Sequence, residues 1–125
     1  METKTKERVA STPSTAGASY ALVVERIRDV GVSSAELAEI VGVGERQVQH
    51  WAAGSSRPSA GTREHLVDLY YVVNQLEEIY KPEGVEIWLH SRNRLFGGQR
   101  PIEVLRRGEF GVVINAVESL THGAM

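Results

Sequence analysis

Four histidines, several closely spaced carboxylates and a cluster of arginines are the residues of this chain able to do chemistry, and their spacing decides which chemistry. His50, His65, His90 and His122 never stand at the i, i+4 interval that places two imidazoles on one helix face, and cysteine is absent. A zinc site therefore lacks its usual ligand sets, and neither a metal nor any other cofactor is expected. Glu36 with Glu39, and Glu77 with Glu78, can be drawn as acid–base pairs. Each pair lies in a helically patterned segment where solvated carboxylates are routine, and no nucleophile, base and orienting group come together. The glycines of VGVGERQ, and Gly97-Gly98, lack the Lys-Ser/Thr ending of a phosphate loop. The expectation is a protein that is not an enzyme.

What remains is recognition. Arg46 can pair with guanine, and Gln47 or Gln49 with adenine, because each pairing allows two hydrogen bonds; His50 and Arg57 extend the same candidate DNA-facing set. Arg92, Arg94, Arg100, Arg106 and Arg107 form the densest basic group. They suit nucleic-acid phosphates, a protein partner, or plain solvation.

These residues need elements to hold them. Tyr20, Val23, Val24, Ile27 and Val30 follow the 3.6-residue period after a Ser19 cap, and Gly31 stops that helix. Ser33-Ser34-Ala35-Glu36 reads as a capping box opening a second helix with Leu37, Ala38, Ile40 and Val41. After Gly42-Val43-Gly44 a third helix, Glu45 to Ala53, carries Val48 and Trp51 on one face. Ala38, Gly42, Val48 and Trp51 occupy the small, turn and locking positions of a helix-turn-helix, which would offer Arg46, Gln47, Gln49 and His50 outward. A Ser- and Gly-containing linker, 54 to 61, leads to Thr62, the expected cap of the longest helix, whose apolar residues cover more than one face. That width fits either a single monomer core or a dimer contact. Lys81-Pro82-Glu83-Gly84 is expected to end the helix.

The stretch Trp88 to Gly108 then combines an aromatic anchor, a Gly97-Gly98 corner, a helix started by Pro101 and a Gly108 stop, and Phe110, Val113, Ile114, Val117 and Leu120 continue at helical spacing. The order Trp88, Asn93, Leu95, Pro101, Leu105, Gly108, Glu109 resembles the C-terminal toxin-binding domain of the Xre/MbcA/ParS-like antitoxins, over about 84 to 123. The resemblance implies a cognate RES-domain toxin, which consumes NAD or transfers ADP-ribose from it, as partner. It implies that Trp88, Asn93, Arg94, Phe96 and Arg100 face the toxin while Leu95, Pro101, Leu105 and Gly108 hold the module's shape. In that family the antitoxin's C-terminal end lies near the toxin's NAD pocket, a role that by position falls to Glu118, Thr121, His122 and the residues after them. It further implies operator DNA as a second partner, autorepression of the operon, and a homodimer or a hetero-oligomer with the toxin. A stand-alone helix-turn-helix regulator with a C-terminal dimerisation domain is the alternative.

The expected fold class is all-α: an arm at 1–18, a helix-turn-helix domain at 19–61, a connecting helix at 62–84 and a toxin-binding module at 85–125. The formal net charge of −2 announces no nucleic-acid binder, so any DNA contact must rest on local placement. With no apolar run near roughly 18 residues and no apolar leader, no membrane partner is expected and the cytoplasm is the expected location.

Overall fold

The computed structural model describes residues 13–122, with side chains from residue 19 onward. Among them the chain forms α1 (Pro13–Asp29), α2 (Ser34–Val41), α3 (Glu45–Ala52), α4 (Ala60–Glu77), α5 (Pro82–His90), a 3-10 turn (Arg94–Phe96), α6 (Pro101–Arg106) and α7 (Phe110–Thr121). The fold is all-α, as expected. Helix α1 already starts at Pro13, so residues 13–18 of the expected arm are helical, and the arm's remaining residues, 1–12, lie outside the described region.

The capping box forms as its spacing predicts: Ser33 Oγ accepts from the Glu36 N–H at 3.0 Å, and the Ser33 N–H donates back to Glu36 Oε1 at 3.1 Å. Gly42 ends α2 at φ 84°, a left-handed angle that a Cβ would strain, and its N–H returns to the Ala38 carbonyl at 2.9 Å. Ala38, small and buried, lets α2 and α3 approach, while Val48 and Trp51 turn α3 onto the core.

Two boundaries differ from expectation. The cap of α4 is Ser59 rather than Thr62: Ser59 holds extended angles outside the helix, and its carbonyl already accepts the first helical bond, from Arg63 N–H at 2.8 Å. Thr62 lies inside the first turn, its hydroxyl bonded by Ser59 at 3.2 Å. The long helix already ends at Glu77 rather than at Lys81–Gly84, and Pro82 instead opens α5, with its missing N–H at a position that needs no partner.

Helix α4 is the spine. Leu66, Leu69, Val72, Val73 and Leu76 are fully buried along it, and α1, α2, α5 and α7 all pack against it. Two hydrogen bonds fix α7 in place, Tyr71 OH to Glu118 at 2.6 Å and Thr121 Oγ1 to Gln75 at 2.9 Å. The buried residues form one cluster running from Val24 in α1 to Val117 in α7. Helix α2 is also tied to the C-terminal half at two points: His90 Nε2 lies 3.1 Å from Glu36 Oε2, and Arg106 Nε 2.7 Å from Glu39 Oε1.

Candidate functional site

On α5, Val85 and Leu89 are buried one turn apart, which leaves Ile87 and Trp88 on the outer side. Ile87 is 65% exposed, and Trp88, half-buried, leans edge-on against Phe96 with ring centroids 6.0 Å apart. Beside them opens a cleft of about 270 Å3 lined by Tyr80, Gly84, Ile87, Trp88, Ser91, Arg92 and Asn93. Gly84 belongs there for a steric reason, since a Cβ at that position would stand 3.0 Å from the Tyr80 Cβ.

The corner after α5 is built by Asn93 and two glycines. The Asn93 carboxamide accepts from the Leu95 N–H at 2.9 Å, its backbone pairs with Gln99, and Gly97 and Gly98 follow at φ 65° and 86°. Asn93 thus shapes the turn besides lining the cleft. Within that turn the exposure of two neighbours is the reverse of what their expected roles require. Phe96, expected to face a partner, is 7% exposed and packs under Trp88, whereas Leu95, expected to hold the module's shape, is 60% exposed. A one-turn helix sends adjacent side chains in different directions, and the larger aromatic takes the interior. Pro101 and Leu105 are buried, as expected of shape-holding residues.

The arginines divide into two groups. Arg92 and Arg94 are exposed and have no carboxylate within ion-pair distance among the described residues. Arg100 and Arg106 both bind Glu103, and Arg107 pairs with Glu109 at 3.3 Å. Hydrogen bonds from Arg100 and then Arg106 hold the Glu103 carboxyl below the usual glutamate range. Burial works against the Arg106 charge, yet Glu103 and Glu39 keep its pKa above the ordinary arginine value. Arg100 is therefore only partly available to a partner.

Glu118 and Thr121 spend their polar groups on α4, through Tyr71 and Gln75. The Glu118 contact in turn raises the Tyr71 hydroxyl above its usual range. His122 is exposed at the end of α7, and 123–125 lie outside the described residues. In the N-terminal half, Arg46, Gln47, Gln49 and His50 line the exposed side of α3, and Arg57 and Gln47 border a cleft of about 220 Å3 where α3 meets the start of α4. His50 Nδ1 is 3.3 Å from Ser55 Oγ. No group of three or more His, Asp or Glu able to hold a metal occurs among the described residues, and no described helix is long and apolar enough to cross a membrane.

Sequence reading missed Tyr80 and Ile87 as surface residues. The signal was there: with Pro82 at the first position of a helix, Ile87 falls off the Val85–Leu89 stripe.

Residues 75–120, which contain the cleft, match the family model of the antitoxin Xre/MbcA/ParS C-terminal toxin-binding domain. The class is thus that of antitoxins. A protein named "Probable mycobacterial cidal antitoxin Rv3188", from Mycobacterium tuberculosis, is 35% identical over 102 residues, covering 82% of this chain and 87% of the relative. The mycobacterial cidal antitoxin MbcA of Mycobacterium bovis is 29% identical over 97 residues, covering 78% of this chain and 86% of its own length. Among solved structures, a chain in the crystal structure of the M. tuberculosis MbcT-MbcA toxin-antitoxin complex superposes with a TM-score of 0.69 at 28% identity, over 84% of this chain and 96% of that one. The chain belongs to the Xre/MbcA/ParS-like antitoxin family.

Proposed function

We propose that the protein neutralises a RES-domain, NAD-consuming toxin by docking its α5–α6 surface on that toxin and covering the toxin's active site. The observation that carries this reading is the open apolar cleft at Ile87 and Trp88, which falls within the residues matched to a toxin-binding domain and is flanked by Arg92 and Arg94, neither of which has an ion-pair partner among the described residues. Soluble surfaces rarely leave an exposed isoleucine beside a half-buried tryptophan and an open cleft without a partner to bury them. Desolvating Ile87 and Trp88 supplies the central hot spot that a tight interface needs, and the arginines supply orientation at its rim. In the solved relative, an MbcA-type chain is held in a complex with its toxin MbcT, which supports the same kind of partner here.

The role assigned to the chain's C-terminal end is narrower. Since Glu118 and Thr121 are bonded to α4, His122 is the described residue left to reach a toxin pocket from the end of α7. Docking through the cleft, with shielding by the helix end, is the mechanism we infer.

A second activity, operator binding and autorepression, is favoured by the exposed row Arg46, Gln47, Gln49 and His50 on α3. Phosphate contacts would make that binding fall steeply as salt rises.

Co-expression of the chain with the toxin encoded beside its gene tests the main reading. A complex that co-purifies, and that Ile87→Asp disrupts without lowering the yield of folded protein, is the expected outcome. Absence of any complex would leave the operator-binding activity as the protein's principal one.

A further inference from the structure

A second hollow adjoins the cleft and shares a wall with it. Arg92 lines both, on one side the apolar cleft at Ile87 and Trp88, on the other a pocket of about 240 Å3 lined also by Gln99, Arg100 and Glu103. The pocket's chemistry is one-sided. Arg92 meets no carboxylate within ion-pair distance among the described residues, and Arg100, bonded to Glu103, keeps 41% of its side chain in water. Gln99 Oε1 accepts from Arg107 Nη1 at 2.5 Å, so what its carboxamide has left to offer is an NH2 group.

The only carboxylate in that lining is already engaged. Glu103 accepts from Arg100, and from Arg106 Nη1 at 3.0 Å, and the two guanidiniums hold its carboxyl below the usual glutamate range. The excess of positive charge stands in a chain whose formal net charge is −2, so it comes from local placement and not from composition. A hollow that gathers donors and positive charge fits a group that only accepts. Among side chains, an ionised carboxylate is the group that does so with the matching charge.

We propose that cleft and pocket form one two-part receptor: the toxin's docking surface sets an apolar side chain against Ile87 and Trp88 and, beside it, the carboxylate of an Asp or Glu between Arg92 and Arg100. Such pairing rests on the toxin-docking reading above and adds the chemistry that the toxin must present. Because Arg92 walls both hollows, the two toxin side chains are neighbours, and their combination is a stricter filter than either alone. A toxin lacking the acid would bury Arg92 without a partner, which is costly. A duplex phosphate backbone would also answer the arginines, but it brings no apolar group for the adjoining cleft, whereas a protein surface supplies both.

The full chain is titrated with the toxin encoded beside its gene, and thermal unfolding is run on every variant. Arg92 is exposed, so its variants should melt as wild type does. Arg92→Glu should weaken toxin binding by roughly tenfold or more, while Arg92→Lys, which keeps the charge, should still form the complex. A carbodiimide joins an amine to a carboxylate with loss of water, so treating the Arg92→Lys complex should link position 92 to one Asp or Glu of the toxin. Reversing that acid to arginine should then rescue Arg92→Glu. Wild-type affinity in Arg92→Glu, with Ile87→Asp unable to bind, would leave toxin docking standing and overturn the acidic contact. So would a cross-link confined to Glu103 within the chain, or an Arg92→Glu defect confined to duplex DNA binding. Absence of any complex with wild type would overturn toxin docking and the acidic contact together.

Discussion

At the scale of single residues, the pair Leu95–Phe96 separates folding from binding. Phe96 is buried under Trp88, so Phe96→Ala should destabilise the chain by about 3 kcal/mol, the cost of emptying an aromatic site. Leu95→Asp and Ile87→Asp, on exposed positions, should leave stability within about 0.5 kcal/mol of wild type while weakening toxin association by about 2 kcal/mol or more. Chemical denaturation and a binding titration on the same preparations check both halves. The types of these residues were readable in sequence, but their directions were not. A three-residue turn is too short to show a period, so nothing in Arg94-Leu95-Phe96 said which apolar side chain turns inward. Glu103 gives a pH prediction. Its folded pKa is depressed by Arg100 and Arg106, so the stabilisation is fully present above the unfolded glutamate value, near pH ~4.3, and is lost as the pH falls through the lower folded value. Glu103→Gln should therefore lower the melting temperature at pH 7, with the difference from wild type shrinking below about pH 4.

At the scale of elements, boundaries follow caps, and caps were legible in proportion to their specificity. The Ser33–Glu36 box requires two matched residues three apart, and it forms as read. Ser33→Ala should cost about 1 kcal/mol in denaturant unfolding, as loss of an N-cap does. Ser59 and Thr62 were a harder choice, because either hydroxyl chemistry suits a cap and the sequence between them, Ala60-Gly61, favours neither. Pro82 was misread for a different reason. Proline both excludes a preceding helical residue and suits the first turn of a new helix, and with α4 already stopped at Glu77 the second effect is the one realised at Pro82. With α5 unread as a helix, Ile87 and Tyr80 could not be assigned to a surface, and the cleft stayed invisible.

At the scale of the whole molecule, the N-terminal and C-terminal halves share one core, with α4 at its centre. The width of the α4 apolar stripe announced burial on more than one side, and Leu66, Leu69, Val72, Val73 and Leu76 show it. The clamps on α2 were beyond sequence reading, since His90 and Glu36 stand 54 positions apart and nothing local marks them as partners. A shared core predicts cooperative unfolding. Trp51 in α3 and Trp88 in α5 report on opposite halves, so Trp51→Phe and Trp88→Phe variants, each followed by its remaining tryptophan, should each show a fluorescence transition that coincides with its own far-ultraviolet circular dichroism transition. Separate transitions within either variant would show two independently folding halves.

The measurement that bears most directly on the antitoxin reading is NAD consumption by the neighbouring toxin, assayed alone, with this chain, and with Ile87→Asp. The account predicts an active toxin, silenced by a stoichiometric amount of wild type and left active by the variant. Full silencing by Ile87→Asp would show that the α5 cleft is not the docking surface. A toxin that consumes NAD equally with and without the wild-type chain would contradict neutralisation itself.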